Sequence, residues 1–107
     1  MAGNRELADY IMDQLAGLGD VRHIPMMGGY VFYYRERIFG GIYANGFLVK
    51  KTKAAEKFMP DSIPEPPYQG AKEMLPVTIL DNGELLRQMV AEMYDELPQP
   101  KKKKEQG

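Results

Sequence analysis

An Asn-Gly pair inside a run of aromatic residues is the feature that most constrains the fold of this chain. The run MMGGYVFYYRERIFGGIYANGFLVKK occupies residues 26 to 51. Asn45 and Gly46 both tolerate the positive φ that a type I′ hairpin turn requires, so this pair predicts a tight turn. Aromatic and β-branched residues fill the segments GGYVFYY, RIFGGIYA and FLVKK on either side of it and of a second turn at RER. These segments predict an antiparallel β-meander.

The two turns set the expected pairing of the strands. A turn at Asn45-Gly46 pairs Ala44 with Phe47, Tyr43 with Leu48 and Ile42 with Val49. A tight turn at Arg35-Glu36 pairs Tyr33 with Ile38 and Phe32 with Phe39. That tight turn places positive φ on residues that resist it, and a three-residue loop is the alternative.

This register divides the side chains between two faces of the sheet. The first face is predicted to carry Tyr30, Phe32, Tyr34, Phe39, Tyr43 and Leu48. The second is predicted to carry Val31, Tyr33, Ile38, Ile42, Ala44, Phe47 and Val49. In an antiparallel sheet with one solvent-exposed face, apolar and polar residues alternate along each strand, but here both faces are apolar. Both faces therefore need to be covered.

The remaining elements flank the meander. A helix capped by Asn4 precedes it and is stopped by Gly17 and Gly19, and the strand DVRHIPMM comes next, placed at an edge by Pro25. A short helix capped by Thr52, a loop rich in proline, and a strand LPVTIL come after the meander. Asp81 is the expected cap of a last helix that Pro98 stops. This order predicts an α+β domain over residues 1–97 and a disordered, Lys-rich tail over 98–107.

Composition narrows the cellular setting. The chain has no cysteine, which excludes disulfides and thiolate metal sites and is typical of a reducing cytoplasm. No apolar run approaches the roughly 18 residues that a membrane span needs, and the N-terminus lacks the pattern of a leader peptide. Four of the fourteen basic residues lie in the run Lys101 to Lys104, which leaves ten against fifteen acidic ones. A cytoplasmic protein with an acidic folded body is expected.

The sequence offers little to build catalysis from. His23 is the only histidine and has no cysteine or second histidine to complete a metal set. Ser62 is the only serine and lies in a Pro-rich loop, outside any nucleophile motif. The glycines of MMGG and FGG join strand to strand, whereas a phosphate loop joins a strand to a helix. We therefore expect no enzyme activity, no cofactor and no metal.

Nucleic acid is one class of candidate partner. Candidate contacts are Arg22, Lys50, Lys51, Lys53 and Lys57, with exposed aromatic rings to stack on bases. The alternative is that these lysines guard a strand end and line a short helix. If all four tail lysines contacted phosphates, the salt slope would be roughly −3.6, so a fourfold rise in salt would weaken binding about a hundredfold. Such attraction is nonspecific.

A protein partner is the class that an apolar sheet favours. One hypothesis is that part of the sheet docks against a second copy or another protein. The candidate interface residues are Tyr30, Phe32, Tyr34, Phe39 and Tyr43. The other hypothesis is that the helices cover both faces and the aromatic residues form a self-contained core.

The segments LAGLGDVRHIPMMGGYVFYYRERIFGGIYANGFLVKKT, PYQGAKEM and LPQPKKKK together resemble the N-terminal domain of the TfoX/Sxy family, in particular its small stand-alone members. The most telling motif is Met-X-Gly-Gly-Tyr at Met26 to Tyr30, where Met27 stands in place of a frequent phenylalanine. The resemblance implies an α+β fold similar to secretion-chaperone-like domains and a link to regulators of DNA uptake competence. The longer regulators of that family carry a second domain, and the segments that carry the resemblance here do not include it. A non-enzymatic regulatory or protein-interaction domain is the expected function, with a DNA-associated regulator as the alternative.

Overall fold

The protein folds as a five-stranded antiparallel sheet with three α-helices, in a computed structural model that describes residues 4–26 and 28–99. The strands are β1 (Val21–Met26), β2 (Gly29–Tyr34), β3 (Arg37–Tyr43), β4 (Gly46–Lys50) and β5 (Met74–Pro76), and they lie in that order across the sheet. The helices are α1 (Asn4–Gln14), α2 (Lys53–Phe58) and α3 (Gly83–Met93), and a 3₁₀ turn at Tyr94–Glu96 follows α3. The predicted α+β class is confirmed. Met27 and the predicted Lys-rich run lie outside the described residues.

The helix boundaries follow local capping chemistry. The Thr52 hydroxyl accepts the N–H of Ala55 at 3.0 Å, which confirms the expected cap of α2. The expected cap of α3 was wrong by one residue, because the Asn82 side chain, not that of Asp81, accepts the N–H of Leu85. Asp81 instead accepts a hydrogen bond from the hydroxyl of Tyr10. The last predicted strand is short, since β5 ends at Pro76 and residues 77–80 are not in the sheet.

The first hairpin of the meander has the tight turn that its residues resist. Arg35 and Glu36 both have positive φ, 50° and 70°. Tyr33 pairs with Ile38 as predicted, but Phe32 pairs with Gly40 and not with Phe39. The register shifts between Phe32 and Tyr33, because at this β-bulge β3 has one residue more than β2.

The second hairpin differs from the predicted type I′ turn. Tyr43 pairs with Gly46, so Ala44 and Asn45 are the two turn residues. Only the glycine has positive φ, at 107°, whereas Asn45 does not. A type I turn followed by a glycine of positive φ is the common three-residue solution for such a hairpin. As a result, Ile42 pairs with Phe47 and not with Val49.

The bulge reverses which side chains share a face. Beyond it, Ile42, Phe47 and Val49 join Tyr30, Phe32 and Tyr34 on the first face, where Phe39 also lies. Tyr43 and Leu48 move to the second face with Val31, Tyr33 and Ile38. The predicted faces were therefore wrong for the strand residues after Phe39, namely Ile42, Tyr43, Phe47, Leu48 and Val49, and Ala44 lies in the turn. A single inserted residue has this effect because side chains alternate with a period of two.

The helices pack on the first face and form the main core with it. Ala8, Ile11 and Leu15 from the first helical segment, and Leu86, Met89, Val90 and Met93 from α3, join the aromatic cluster of Phe32, Phe39 and Phe47. Phe32 and Phe39 are completely buried. Val31, Leu48 and Met74 are also buried but belong to the second face and not to this cluster. The second face is therefore covered by something other than the helix core.

Candidate protein-interaction surface

The segment between α2 and β5 supplies the cover of the second face. Residues 60–73, here called the strap, are tied to the sheet by a pair of backbone hydrogen bonds between Glu65 and Met74, both 2.9 Å. The Asn45 side chain donates to the Glu65 carboxylate at 2.6 Å and to the carbonyl of Pro66 at 3.2 Å. The strap then brings Pro67 and Tyr68 to the second face, where Pro67 is buried. The turn residue Asn45 thus positions the strap.

Tyr43 is the sheet residue that receives the strap. Its ring packs against that of Tyr68 with 6.4 Å between centroids. A Cβ on Gly41 would lie 3.0 Å from the Cζ and hydroxyl oxygen of Tyr43, so the Tyr43 ring crosses directly over the glycine. Gly41 pairs with Val31 on one side and Leu48 on the other, so the ring lies over the middle of the second face. The FGG motif is therefore a packing motif.

Two clefts open on either side of Tyr43, Pro67 and Tyr68, and we call them together the groove. One cleft, of about 670 Å³, is apolar. It is lined further by Asn4, Met26, Gly28, Gly29, Tyr30, Val31, Ile42 and Ala44. The other, of about 740 Å³, is basic, and its lining includes Lys50, Lys51, Lys72, Glu73 and Glu96. Tyr68 is 64% exposed although it borders both clefts.

The charges of the basic cleft are not balanced locally. The Glu96 carboxylate accepts the N–H groups of Lys53 at 2.8 Å and Ala54 at 3.1 Å, so it satisfies the start of α2. Its carboxylate keeps its negative charge, so Glu73 and Glu96 together oppose three lysines, which leaves a net charge of +1 among the described lining residues. The basic cleft therefore has a small excess of positive charge.

The predicted interface residues do not share one exposed surface. Phe32, Phe39 and Tyr34 are buried in the helix core, so the folded chain does not present them to a partner. Tyr30 and Tyr43 are half-buried and both line the apolar cleft. Sequence reasoning missed Tyr68, because its segment was interpreted as a loop or strand-edge connection. It also missed Met26, which was interpreted only as part of a strand and of the family motif. An isolated aromatic residue between Pro67 and Gly70 was the available signal.

The predicted nucleic-acid residues are also dispersed. Lys50 and Lys51 line the basic cleft, whereas the Lys57 ammonium pairs with the Glu92 carboxylate at 2.6 Å on the helical side. Lys53 is exposed at the start of α2. Arg22 lies on the edge strand β1, three strands from Lys50, which is a separation of about 14 Å. The structure brings together two of the five, and adds Lys72.

Arg22 has a structural environment of its own. Its guanidinium donates to both carboxylate oxygens of Glu36, at 2.9 and 3.2 Å, and lies 4.2 Å from the ring centroid of Tyr33. The hydrogen bonds from Arg22 hold the pKa of Glu36 below its ordinary value. This pair braces the first hairpin turn against β1.

His23 and Ser62, the two candidates considered for catalysis, make packing and hydrogen-bond contacts within the fold. The His23 ring stacks on Phe32 with 5.2 Å between centroids and packs against Tyr30 at 5.3 Å, on the edge strand as predicted. The Ser62 hydroxyl donates to the carbonyl of Pro76 at 2.6 Å, which fixes the strap. Across residues 4–26 and 28–99, no three His, Cys, Asp or Glu side chains are grouped closely enough to hold a metal ion.

Tyr43 on β3 and Tyr10 on α1 have raised pKa values for different reasons. Burial is the main cause at Tyr43, and the neighbouring Tyr68 adds to it. The hydrogen bond to Asp81 is the main cause at Tyr10. Both phenols therefore stay neutral to higher pH than a free tyrosine.

The sequence comparisons agree with this architecture. The family model described as the TfoX N-terminal domain matches residues 13–97. The chain belongs to the TfoX N-terminal domain family. The matched region contains the whole sheet, the strap and every lysine of the basic cleft. Among the described lining residues of the groove, Asn4 and Pro98 lie outside it. No curated protein and no solved structure matches the chain significantly. In the part of the chain that is described, every helix is too short or too polar to cross a membrane.

Proposed function

We propose that this chain is a non-enzymatic protein-interaction module that uses the groove as its contact surface. The observation that supports this most strongly is the position of Tyr68. Its ring packs on that of Tyr43 beside an apolar cleft of about 670 Å³, yet the residue is 64% exposed. Tyrosines that combine a packed ring with an accessible hydroxyl are favoured at protein interfaces. A regulatory, cytoplasmic role like that of the TfoX/Sxy competence regulators is part of this proposal and is supported by membership of the family.

The apolar surface of the groove argues for a protein partner. Met26 is 48% exposed and Tyr68 is 64% exposed, and both line the apolar cleft with the half-buried Tyr43. Apolar surface of this kind gains free energy when a partner removes it from water. The residues that sequence analysis weighed for catalysis are occupied in packing and in fixing the strap, which supports a role without chemistry.

Self-association tests the proposal most directly. Light scattering on a dilution series, at low and high salt, should detect a dimer whose mass does not depend on salt. Tyr68→Glu places a charge in the groove and should weaken that dimer by at least about tenfold. Ile63→Glu is the matched control, because Ile63 is 78% exposed in the same strap and lines neither cleft.

The outcomes separate the forms of the proposal. Dissociation by Tyr68→Glu alone supports the groove as the interface between two copies. Equal effects of both substitutions would place the interface elsewhere and contradict the proposal. A monomer at every concentration would exclude the homodimer and leave only binding to a different protein.

The second candidate is a DNA-associated regulator that binds nonspecifically. The observation that favours it is the grouping of Lys50, Lys51 and Lys72 with the exposed ring of Tyr68, since basic side chains with a stacking aromatic ring suit single strands. Replacing Lys50 and Lys72 with glutamate should then remove most of the salt-sensitive DNA binding, and deleting residues 101 to 107 should remove any part that the tail contributes. DNA binding that does not fall with salt would contradict this candidate.

A further inference from the structure

We propose that the groove binds an extended segment of a partner protein in which an apolar or aromatic stretch is followed by acidic residues. This inference rests on the proposed function and specifies the chemistry of the partner. It is based on the unequal halves of the groove, one apolar and one basic, which meet at Tyr43, Pro67 and Tyr68.

The apolar half suits aromatic side chains. Its described lining residues include no charged side chain, and its volume of about 670 Å³ lies in the range of roughly 300–1,000 Å³ that is typical of ligand pockets. Among the described residues, the hydroxyls of Tyr43 and Tyr68 have no hydrogen-bond partner, which leaves them available to backbone carbonyls of a bound segment. An apolar segment can therefore be held by both ring contacts and hydrogen bonds.

The basic half determines the charge of the partner residues beyond the apolar stretch. Lys50, Lys51 and Lys72 line it against two carboxylates, those of Glu73 and Glu96, so the described lining has an excess of one positive charge. Acidic side chains next to the apolar stretch would restore the balance. An extended segment is required because the two halves lie on opposite sides of the Tyr43–Tyr68 pair.

A peptide fits this arrangement better than a nucleic acid does. A nucleic acid carries a phosphate at every nucleotide and needs a continuous basic track. Here the positive charge is confined to one half of the groove, and the other half offers no cation along its described lining. A segment that changes from apolar to acidic matches that change in the surface.

The test is fluorescence anisotropy with a short labelled peptide in which a pair of phenylalanines is followed by a run of glutamates. The full chain should bind it, and rising salt should weaken the binding. The double substitution Lys50→Glu, Lys72→Glu should raise Kd by about tenfold or more. The matched control is Lys53→Glu, Lys57→Glu, which makes the same change in net charge outside the groove and should leave Kd within about twofold.

Two comparison probes complete the experiment, with circular dichroism to establish that each variant is folded. A peptide with lysines in place of the glutamates should bind at least about tenfold more weakly. Equal binding of the two peptides, or equal losses in the two double variants, would overturn the inference. Tighter binding of a single-stranded oligonucleotide that displaces the peptide would also overturn it and would assign the groove to nucleic acid.

The results also distinguish this inference from the proposed function. If Tyr68→Glu dissociates a dimer but the peptide does not bind, the inference fails and the interaction module stands. If the chain is monomeric but binds the peptide as described, the module stands in its partner-binding form. If neither occurs, the inference fails and so does the homodimer form of the module.

Discussion

The ring of Tyr43 on β3 packs against that of Tyr68 in the strap, 6.4 Å away between centroids, and divides the second face of the sheet into an apolar and a basic cleft. The contact joins residues 25 positions apart in the chain. It also partly shields Tyr43 from water, and this raises the pKa of its hydroxyl.

The pH dependence of stability should report on the Tyr43 contact. Because the pKa of Tyr43 is raised in the folded chain, its contribution to stability is complete below its ordinary pKa of 10.0 and is lost as pH rises through the folded value. We expect the free energy of unfolding to fall above that pH, and Tyr43→Phe to reduce the fall. Denaturant titrations of both proteins on either side of pH 10 provide the measurement.

Absorbance titration of the tyrosinates gives an independent check of that prediction. Tyr68→Phe should lower the pKa of Tyr43 only partly, since burial is the larger cause and the charge of Tyr68 the smaller. Loss of the entire shift in Tyr68→Phe would contradict the assigned cause.

Gly41 should not tolerate a side chain. A Cβ there would lie 2.5 Å from the carbonyl oxygen of Tyr30 and 3.0 Å from the Tyr43 ring, so Gly41→Ala forces the sheet and the ring to move. We expect a loss of about 1–3 kcal/mol in the free energy of unfolding. Gly17→Ala is the control, because the nearest atom to its Cβ would be 3.6 Å away on a flexible arginine, and it should change stability by less than about 0.5 kcal/mol.

The Glu96 cap should stabilise α2. Its carboxylate accepts two of the free N–H groups at the helix start, so Glu96→Ala should lower the free energy of unfolding by about 0.5–2 kcal/mol. Asp95→Ala removes a neighbouring exposed carboxylate and should have a much smaller effect. Chemical denaturation of both variants measures the difference, and equal losses would show that general charge, and not capping, is responsible.

A glycine at position 36 should stabilise the first hairpin turn. Glu36 has φ of 70°, which glycine adopts without strain, and its bond to Arg22 is solvent-exposed and contributes little. We expect Glu36→Gly to raise the free energy of unfolding by about 0.5–1 kcal/mol. Glu36→Gln retains the strained backbone and weakens the ion pair, so it should be neutral or slightly destabilising. A lower melting temperature for Glu36→Gly than for Glu36→Gln would contradict this account.

The sequence determined the elements of the fold through local chemistry. Thr52 predicted its helix cap, Pro25 predicted an edge strand, and the aromatic run predicted the meander, because capping, the missing proline donor and side-chain shape all act over a few residues. The α+β class could be predicted from the order of these elements. The turn at Arg35-Glu36 was left open between a tight loop and a three-residue loop, and the structure has the tight one.

The set of residues that line the groove depends on tertiary contacts. The bulge opposite Phe32 is one extra residue, and the sequence gives no distinctive signal for it. Because of this residue, Ile42, Phe47 and Val49 lie on the face beneath the helices, where Tyr43 and Leu48 were expected. The groove further requires the strap to return to the sheet, which brings Tyr68 and Lys72 beside Tyr43 and Lys50. Local patterns cannot predict such a surface, because it depends on contacts between residues that are distant in the chain and on a register that one residue can reverse.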